Sequence, residues 1–190
     1  MRFIGLDPST KTGFVALDEH GTVLKQKELT GVGSVDPLRM LTMIDEVMDF
    51  MKRDDFICIE GFGFASQQAI QLGGIGWGIR MALARRGHKW YEVAPMALKK
   101  FAGATGNKGP DGKAIKADKI EVAKQTLKRW DFESGSDNIT DAFLLAKIAE
   151  GIWHYTEGAT FTYPKFQEDV IYNILNPKPK AKKTKKRRGA

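Results

Sequence analysis

Four carboxylates in this 190-residue chain stand where a side chain can do more than solvate a surface. Asp7 closes the apolar run "FIGLD", Glu60 closes "FICIE", and Asp137 and Asp141 precede and enter the apolar stretch "AFLLAKIA". A carboxylate at the end of a buried strand is costly unless it is paired, protonated or bound to a cation. Two neighbouring strands that each end in one bring like charges together, which is stable only with a shared proton or a divalent ion between them. The i, i+4 spacing of Asp137 and Asp141 points both toward one side of a helix beginning near Ser136. Four carboxylates from separate segments would hold hard, oxygen-preferring cations. A thiolate/imidazole zinc site is disfavoured by a single cysteine, Cys58, and three scattered histidines. Taken singly, three of the four have plainer explanations. Asp7 in "DPST" fits the first position of a turn, Glu60 a solvated strand end, and Asp137 a helix N-cap. Asp141, against an apolar helix, is the hardest to place in solvent.

The elements that must position these groups are legible from periodicity. Residues 2–6 and 12–17 form two short strands around a Pro/Gly turn, and "TVLKQKEL" a third, giving a three-stranded antiparallel start. "VDPLRMLTMIDEVMDFMKR" has helical spacing of Leu, Met, Ile and Val, with Asp36 expected as N-cap and Pro37 at N1. "FICIE" reads as a strand covered on both faces. "ASQQAIQLGGIGWGIRMALARRG" is helical in pattern despite Gly73, Gly74, Gly76 and Gly78, each of which costs up to about 1 kcal/mol relative to alanine. Such glycines suit close packing against the sheet or a second copy. "KWYEVAP" gives a fifth strand ending at Pro95, followed by a short helix in "MALKKFAG" and a loop, "ATGNKGPDGK". "AIKADKIEVAKQTLKRW" and "ITDAFLLAKIAEGIWHY" are two further helices. The expected architecture is α/β, a mixed sheet covered by helices on both faces.

Charge is segregated along the chain. The net charge of +7 comes from "NPKPKAKKTKKRRGA" at residues 176–190, which holds eight Lys/Arg and no acid; the remainder has 22 basic and 23 acidic residues. The prolines and scarcity of apolar residues in that stretch predict a disordered polybasic tail suited to phosphate backbone or another polyanion. Residues 99–129 carry nine basic and three acidic side chains, whereas 131–169 carry eight acidic and two basic. This arrangement suits a site that holds both a phosphate and a cation. A mean hydropathy of −0.33 and the absence of a long apolar run predict a soluble cytoplasmic protein with no membrane span or signal peptide. The length suits one domain.

In order along the chain, "IGLDPSTKTGFVAL", "ICIEGF" followed by a glycine-containing helix, "VAPMALKKFAGATG" with "KADKIEVA", and "DNITDAFLLAKIA" resemble the motifs of RuvC-type Holliday junction resolvases. These are crossover-junction endonucleases of the ribonuclease H-like superfamily, found in bacteria and some phages. The resemblance covers about residues 2–150. It implies a ribonuclease H-like fold with a five-stranded mixed sheet; residues 151–175 lie outside the resemblance and are expected as a C-terminal extension of a single domain over 1–175. It also implies a homodimer, for which the glycine-rich helix at 65–86 is the candidate interface, acting on four-way junctions in branched DNA.

Carried over by residue, the resemblance makes Asp7, Glu60 and Asp141 metal ligands. The family's remaining carboxylate falls at Asn138, so either Asp137 substitutes for it or Asn138 supplies a weaker oxygen ligand. Lys119 and Lys99 look like phosphate-contacting or charge-stabilising groups, with Lys100, Lys108 and Lys116 as further DNA contacts. The loop after the fourth strand offers Phe62 and Phe64 for stacking at the branch point, or as anchors of that loop. The implied chemistry is phosphodiester hydrolysis with two Mg²⁺ ions, Mn²⁺ substituting, leaving 5′-phosphate and 3′-hydroxyl ends. Alternatives are a less selective nuclease for branched or replicating DNA and a catalytically inert DNA-binding module.

Overall fold

The computed structural model describes residues 1–62, 68–104, 119–158 and 163–177. Five strands form one mixed sheet: β1 (Arg2–Asp7), β2 (Thr12–Leu17), β3 (Val23–Leu29), β4 (Asp55–Glu60) and β5 (Trp90–Val93), in the order β3-β2-β1-β4-β5. β1 to β3 are antiparallel neighbours, while β4 runs parallel to both β1 and β5. Helices α1 (Leu38–Phe50) and α2 (Ala69–Arg85) cover one face. The helices α3 (Pro95–Ala102), α4 (Lys119–Trp130), α5 (Asp137–Thr156) and α6 (Lys165–Leu175) belong to the other.

Strand periodicity divides the core in two. Ile4, Leu6, Ile57 and Ile59 point toward Met43 and Val47 of α1 and Ile75 and Ile79 of α2. The alternate residues Phe3, Val15, Leu17 and Cys58 face Ala142, Leu145 and Ala149 of α5. Because side chains alternate along a strand, the final residues of β1 and β4, Asp7 and Glu60, project toward the α5 face.

Two glycines let α5 lie directly on the sheet. A β-carbon on Gly5 would stand 1.8 Å from the Ala142 carbonyl oxygen, and one on Gly13 2.0 Å from the Asn138 carbonyl oxygen. The sequence "IGLD" therefore fixes the depth at which α5 sits. Ser136 starts that helix as its N-cap, its Oγ accepting from the Ile139 N–H at 3.3 Å.

Three expectations need correction. Asp36 does not cap α1: Pro37 occupies the N-cap position, and the Asp36 carboxylate instead takes the Arg39 guanidinium at 3.0 Å and the Gln71 amide at 2.7 Å. Asp137 is the first residue of α5 rather than its cap. Residues 151–175, expected only as an extension with no helix of its own, supply the last turns of α5 and the whole of α6, whose Phe166, Val170, Ile171, Ile174 and Leu175 fall at helical spacing. α6 buries Val170 and Ile171 and donates from Gln167 Nε2 to the Phe101 carbonyl at 2.9 Å.

Two glycines of α2, Gly76 and Gly78, serve packing within the chain, whereas Gly73 faces open space. A β-carbon on Gly78 would stand 2.4 Å from Ile44 of α1, and one on Gly76 2.6 Å from the Phe62 ring. Phe64, Lys108, Lys116 and most of the polybasic tail lie outside the described residues.

Candidate active site

Leu6 pairs with Ile59 across the parallel β1–β4 ladder, so Asp7 and Glu60 leave adjacent strands side by side. Asp7 is buried, with 6% exposure, and its carboxyl group shares a hydrogen bond with that of Glu60. Burial raises the Asp7 pKa well above the usual carboxylate range, and the Glu60 charge and hydrogen bond raise it further. Glu60 is also raised, mainly by burial, with the charge of Asp141 acting in the same direction and Lys99 opposing it.

Asp141 faces the pair from the second turn of α5. Burial, followed by repulsion from Asp7, pushes its pKa up to about 7, against the pull of Lys119 and Lys99. Asp7, Glu60, Asp141, Asn138, Lys119 and Phe62 all line one cleft of about 710 Å³. Lys99, Lys119, Asp137 and Asp141 border a smaller recess beside it.

The late acidic pair separates in role. Asp137, half-exposed, is ion-paired with Lys119, which raises the lysine's pKa. Asn138 takes part in a different network. Its Nδ2 donates to Glu28 at 3.0 Å, and its Oδ1 accepts from Ser9 Oγ at 3.4 Å on the cleft side. Glu28 also receives the Ser136 hydroxyl at 2.5 Å and lies 3.7 Å from the Lys11 ammonium. The Ser136 and Asn138 hydrogen bonds hold the Glu28 pKa below its ordinary value. Lys100 does not join the cleft: it lies 3.6 Å from Asp169 of α6.

Phe62 is seated over Gly76, with its ring centroid 5.2 Å from that of Trp77 and 4.3 Å from the Arg80 guanidinium carbon. The ring therefore packs on α2. Trp77 and Arg80, which also line the cleft, are not among the residues that the sequence alone singles out. A charged residue inside the apolar run "GIRMALA" is the available signal for Arg80.

The donor chemistry suits a hard divalent cation: Asp7, Glu60 and Asp141 offer only oxygen, and their pKa values are raised first by burial and then by one another's charge, both of which such an ion would offset. Among the described residues, no group of three or more Asp, Glu, His or Cys converges closely enough to form a finished metal cage. The carboxylates border an open cleft instead, the geometry of a site that leaves positions for substrate.

No protein-family model matches the sequence, and neither does any curated protein. Solved structures do. The structure of Thermus thermophilus RuvC in complex with a Holliday junction substrate superposes with a TM-score of 0.61 at 16% identity, covering 84% of this chain and 97% of that one. A second Thermus thermophilus RuvC structure gives 0.62 at 18% identity, covering 84% and 98%. The five-stranded mixed sheet with helices on both faces is a ribonuclease H-like fold, shared in the particular with RuvC.

Proposed function

We propose that this protein is a metal-dependent, structure-selective endonuclease that resolves four-way DNA junctions by paired phosphodiester hydrolysis. The observation that carries this reading is the meeting of Asp7 and Glu60, at the ends of parallel strands, with Asp141 across one open cleft. The fold is shared with a RuvC whose structure contains a Holliday junction, which supports branched DNA as the substrate class.

In this reading Asp7, Glu60 and Asp141 bind two Mg²⁺, or Mn²⁺, and Asn138 Oδ1 adds a neutral oxygen. When bound there, the metal would supply Lewis-acid chemistry for activating a water and for charge on the leaving 3′-oxygen. Burial and mutual proximity raise the pKa of both Asp7 and Glu60, so a cation held there would compete with protons. Lys119, released from Asp137 when a phosphate enters, supplies positive charge to the phosphoryl oxygens. Phe62 borders the cleft where an unpaired base can stack. Lys99 extends the cationic rim, and the lysines at 100, 108 and 116 and the basic tail add phosphate contacts. Two symmetric cuts call for two active sites, hence a homodimer acting within a bacterial cytoplasm. Residues 1–175 form one nuclease domain.

Incubating purified protein with synthetic four-way, Y-shaped and linear duplexes in Mg²⁺ and Mn²⁺ tests this directly. Paired nicks confined to the four-way substrate, with 5′-phosphate ends, are expected. Equal cutting of Y-shaped DNA selects the less selective nuclease, and binding with no cutting in either metal selects an inert binding module. The Glu28–Asn138 hydrogen bond, which occupies one side of the position where RuvC-type motifs carry a carboxylate, is the feature that favours the inert alternative.

A further inference from the structure

Arg80 lies in the middle of α2 with 3% exposure, in a stretch otherwise built from glycine and apolar residues. Its guanidinium is engaged on three sides. Nε donates to Glu92 of β5 at 2.8 Å, Nη1 to the Gly76 carbonyl at 3.0 Å, and Nη2 to the Glu60 carbonyl at 2.8 Å. Its carbon also lies 4.3 Å from the centre of the Phe62 ring. The ion pair itself is weak evidence of stabilisation, because the Glu92 side chain is half-exposed and screened by solvent. What an apolar side chain cannot supply is direction. Arg80 fixes the backbone of Glu60 where β4 leaves the sheet, and through the ring face it fixes the aromatic two residues later. Gly61 N–H donates to the Val93 carbonyl at 2.8 Å, so the segment is held from β5 on one side and from α2 on the other.

We propose that Arg80 is a positioning residue that locks the Glu60 carboxylate and the Phe62 ring in a fixed relation across the cleft. The proposal rests on the metal-binding reading of Glu60. Partners that orient a metal ligand from outside the coordination shell are worth roughly 10- to 100-fold in affinity or activity. Loss of Arg80 therefore weakens metal binding and loosens the aromatic together.

The test compares wild type, Arg80→Met, Arg80→Lys and Glu60→Gln by Mn²⁺ calorimetry, and records Trp77 emission as the difference from matched Trp77→Phe proteins. Trp77 reports on Phe62 because their rings are in contact. Arg80→Met is expected to weaken Mn²⁺ binding by about 10-fold and to shift the emission. Arg80→Lys, which keeps the charge but not the planar fork, should fall between the two. A role in stability alone lowers the melting temperature with Mn²⁺ affinity and emission unchanged, and that result overturns the proposal. Should Arg80→Met fail to fold, wild-type values in Arg80→Lys have the same force. If wild type shows no Mn²⁺ binding that depends on Glu60, the metal reading fails. Emission then decides the positioning role: a shift supports it and constancy overturns it.

Discussion

Asp7 and Glu60 leave neighbouring parallel strands at the same level and share a hydrogen bond between their carboxyl groups. Strand register forces the encounter, since Leu6 opposite Ile59 leaves the next two residues side by side on the α5 face. Both carboxyl groups are raised in pKa, first by burial, so a divalent ion bound there would compete with protons for the same oxygens.

Neutralising one member should separate chemistry from folding. Asp7→Asn is expected to abolish cutting while leaving junction binding within a few-fold of wild type. It should also flatten the loss of metal-free stability at rising pH, because the amide stays neutral where the buried Asp7 carboxyl would have to ionise. Thermal melts across pH, with and without Mn²⁺, check this. A lower melting temperature together with lost binding would indicate misfolding instead.

Acidity should act on stability with a definite sign. The pKa values of Asp7, Glu60 and Asp141 are raised in the folded protein, Asp141 to about 7, so their contribution is fully present below their unfolded values and is lost as pH rises through the folded ones. The metal-free melting temperature should therefore fall between about pH 4 and pH 7, as each proton retained only by the folded protein removes up to roughly 1.4 kcal/mol of stability per pH step of one. Saturating Mn²⁺ should reverse the trend, since metal binds the deprotonated forms. A flat metal-free profile in Asp141→Asn alongside a sloping one in wild type would assign much of the effect to that residue.

Glu28 works in the opposite direction. Its lowered pKa, from hydrogen bonds to Ser136 and Asn138, gives stability present above the unfolded value and lost on acidification. Glu28→Ala strips partners from the Ser136 hydroxyl and the Asn138 amide. The expected cost is about 1–3 kcal/mol in denaturant melts, with the N-terminal turn of α5 losing amide-exchange protection first.

Gly5 sets the distance between sheet and helix. Gly5→Ala places a methyl against the backbone of α5 rather than against a yielding side chain, so a loss of about 3 kcal/mol or failure to fold is expected. Gly135→Ala, where no atom lies within 4 Å of the added carbon, is the control and should be nearly neutral in the same urea titration.

The strands and their terminal carboxylates are legible in the sequence because alternation and abrupt charge carry the signal locally. "FIGLD" and "FICIE" need only the knowledge that they are neighbours to become a site. Asp141 is legible for a similar reason, as an acid entering an apolar helix. α6 carries a local signal too, Phe166, Val170, Ile171, Ile174 and Leu175 at helical spacing after Pro164, but the surface they pack on comes from α3 and α5 and is not local. The division of labour between Asp137 and Asn138 is also beyond reach, since it depends on Lys119 and Glu28, which are distant in sequence. Asp36 misleads for the same reason: its partner Gln71 comes from another helix.

The central claim is that Asp7, Glu60 and Asp141 together hold a divalent ion. A crystal grown in Mn²⁺ and measured at its absorption edge tests this most directly. Anomalous density bridging Asp7 and Glu60, with Asp141 among the ligands, is the predicted result. An intact cleft with no anomalous density at saturating Mn²⁺, or manganese bound only elsewhere on the surface, would contradict it.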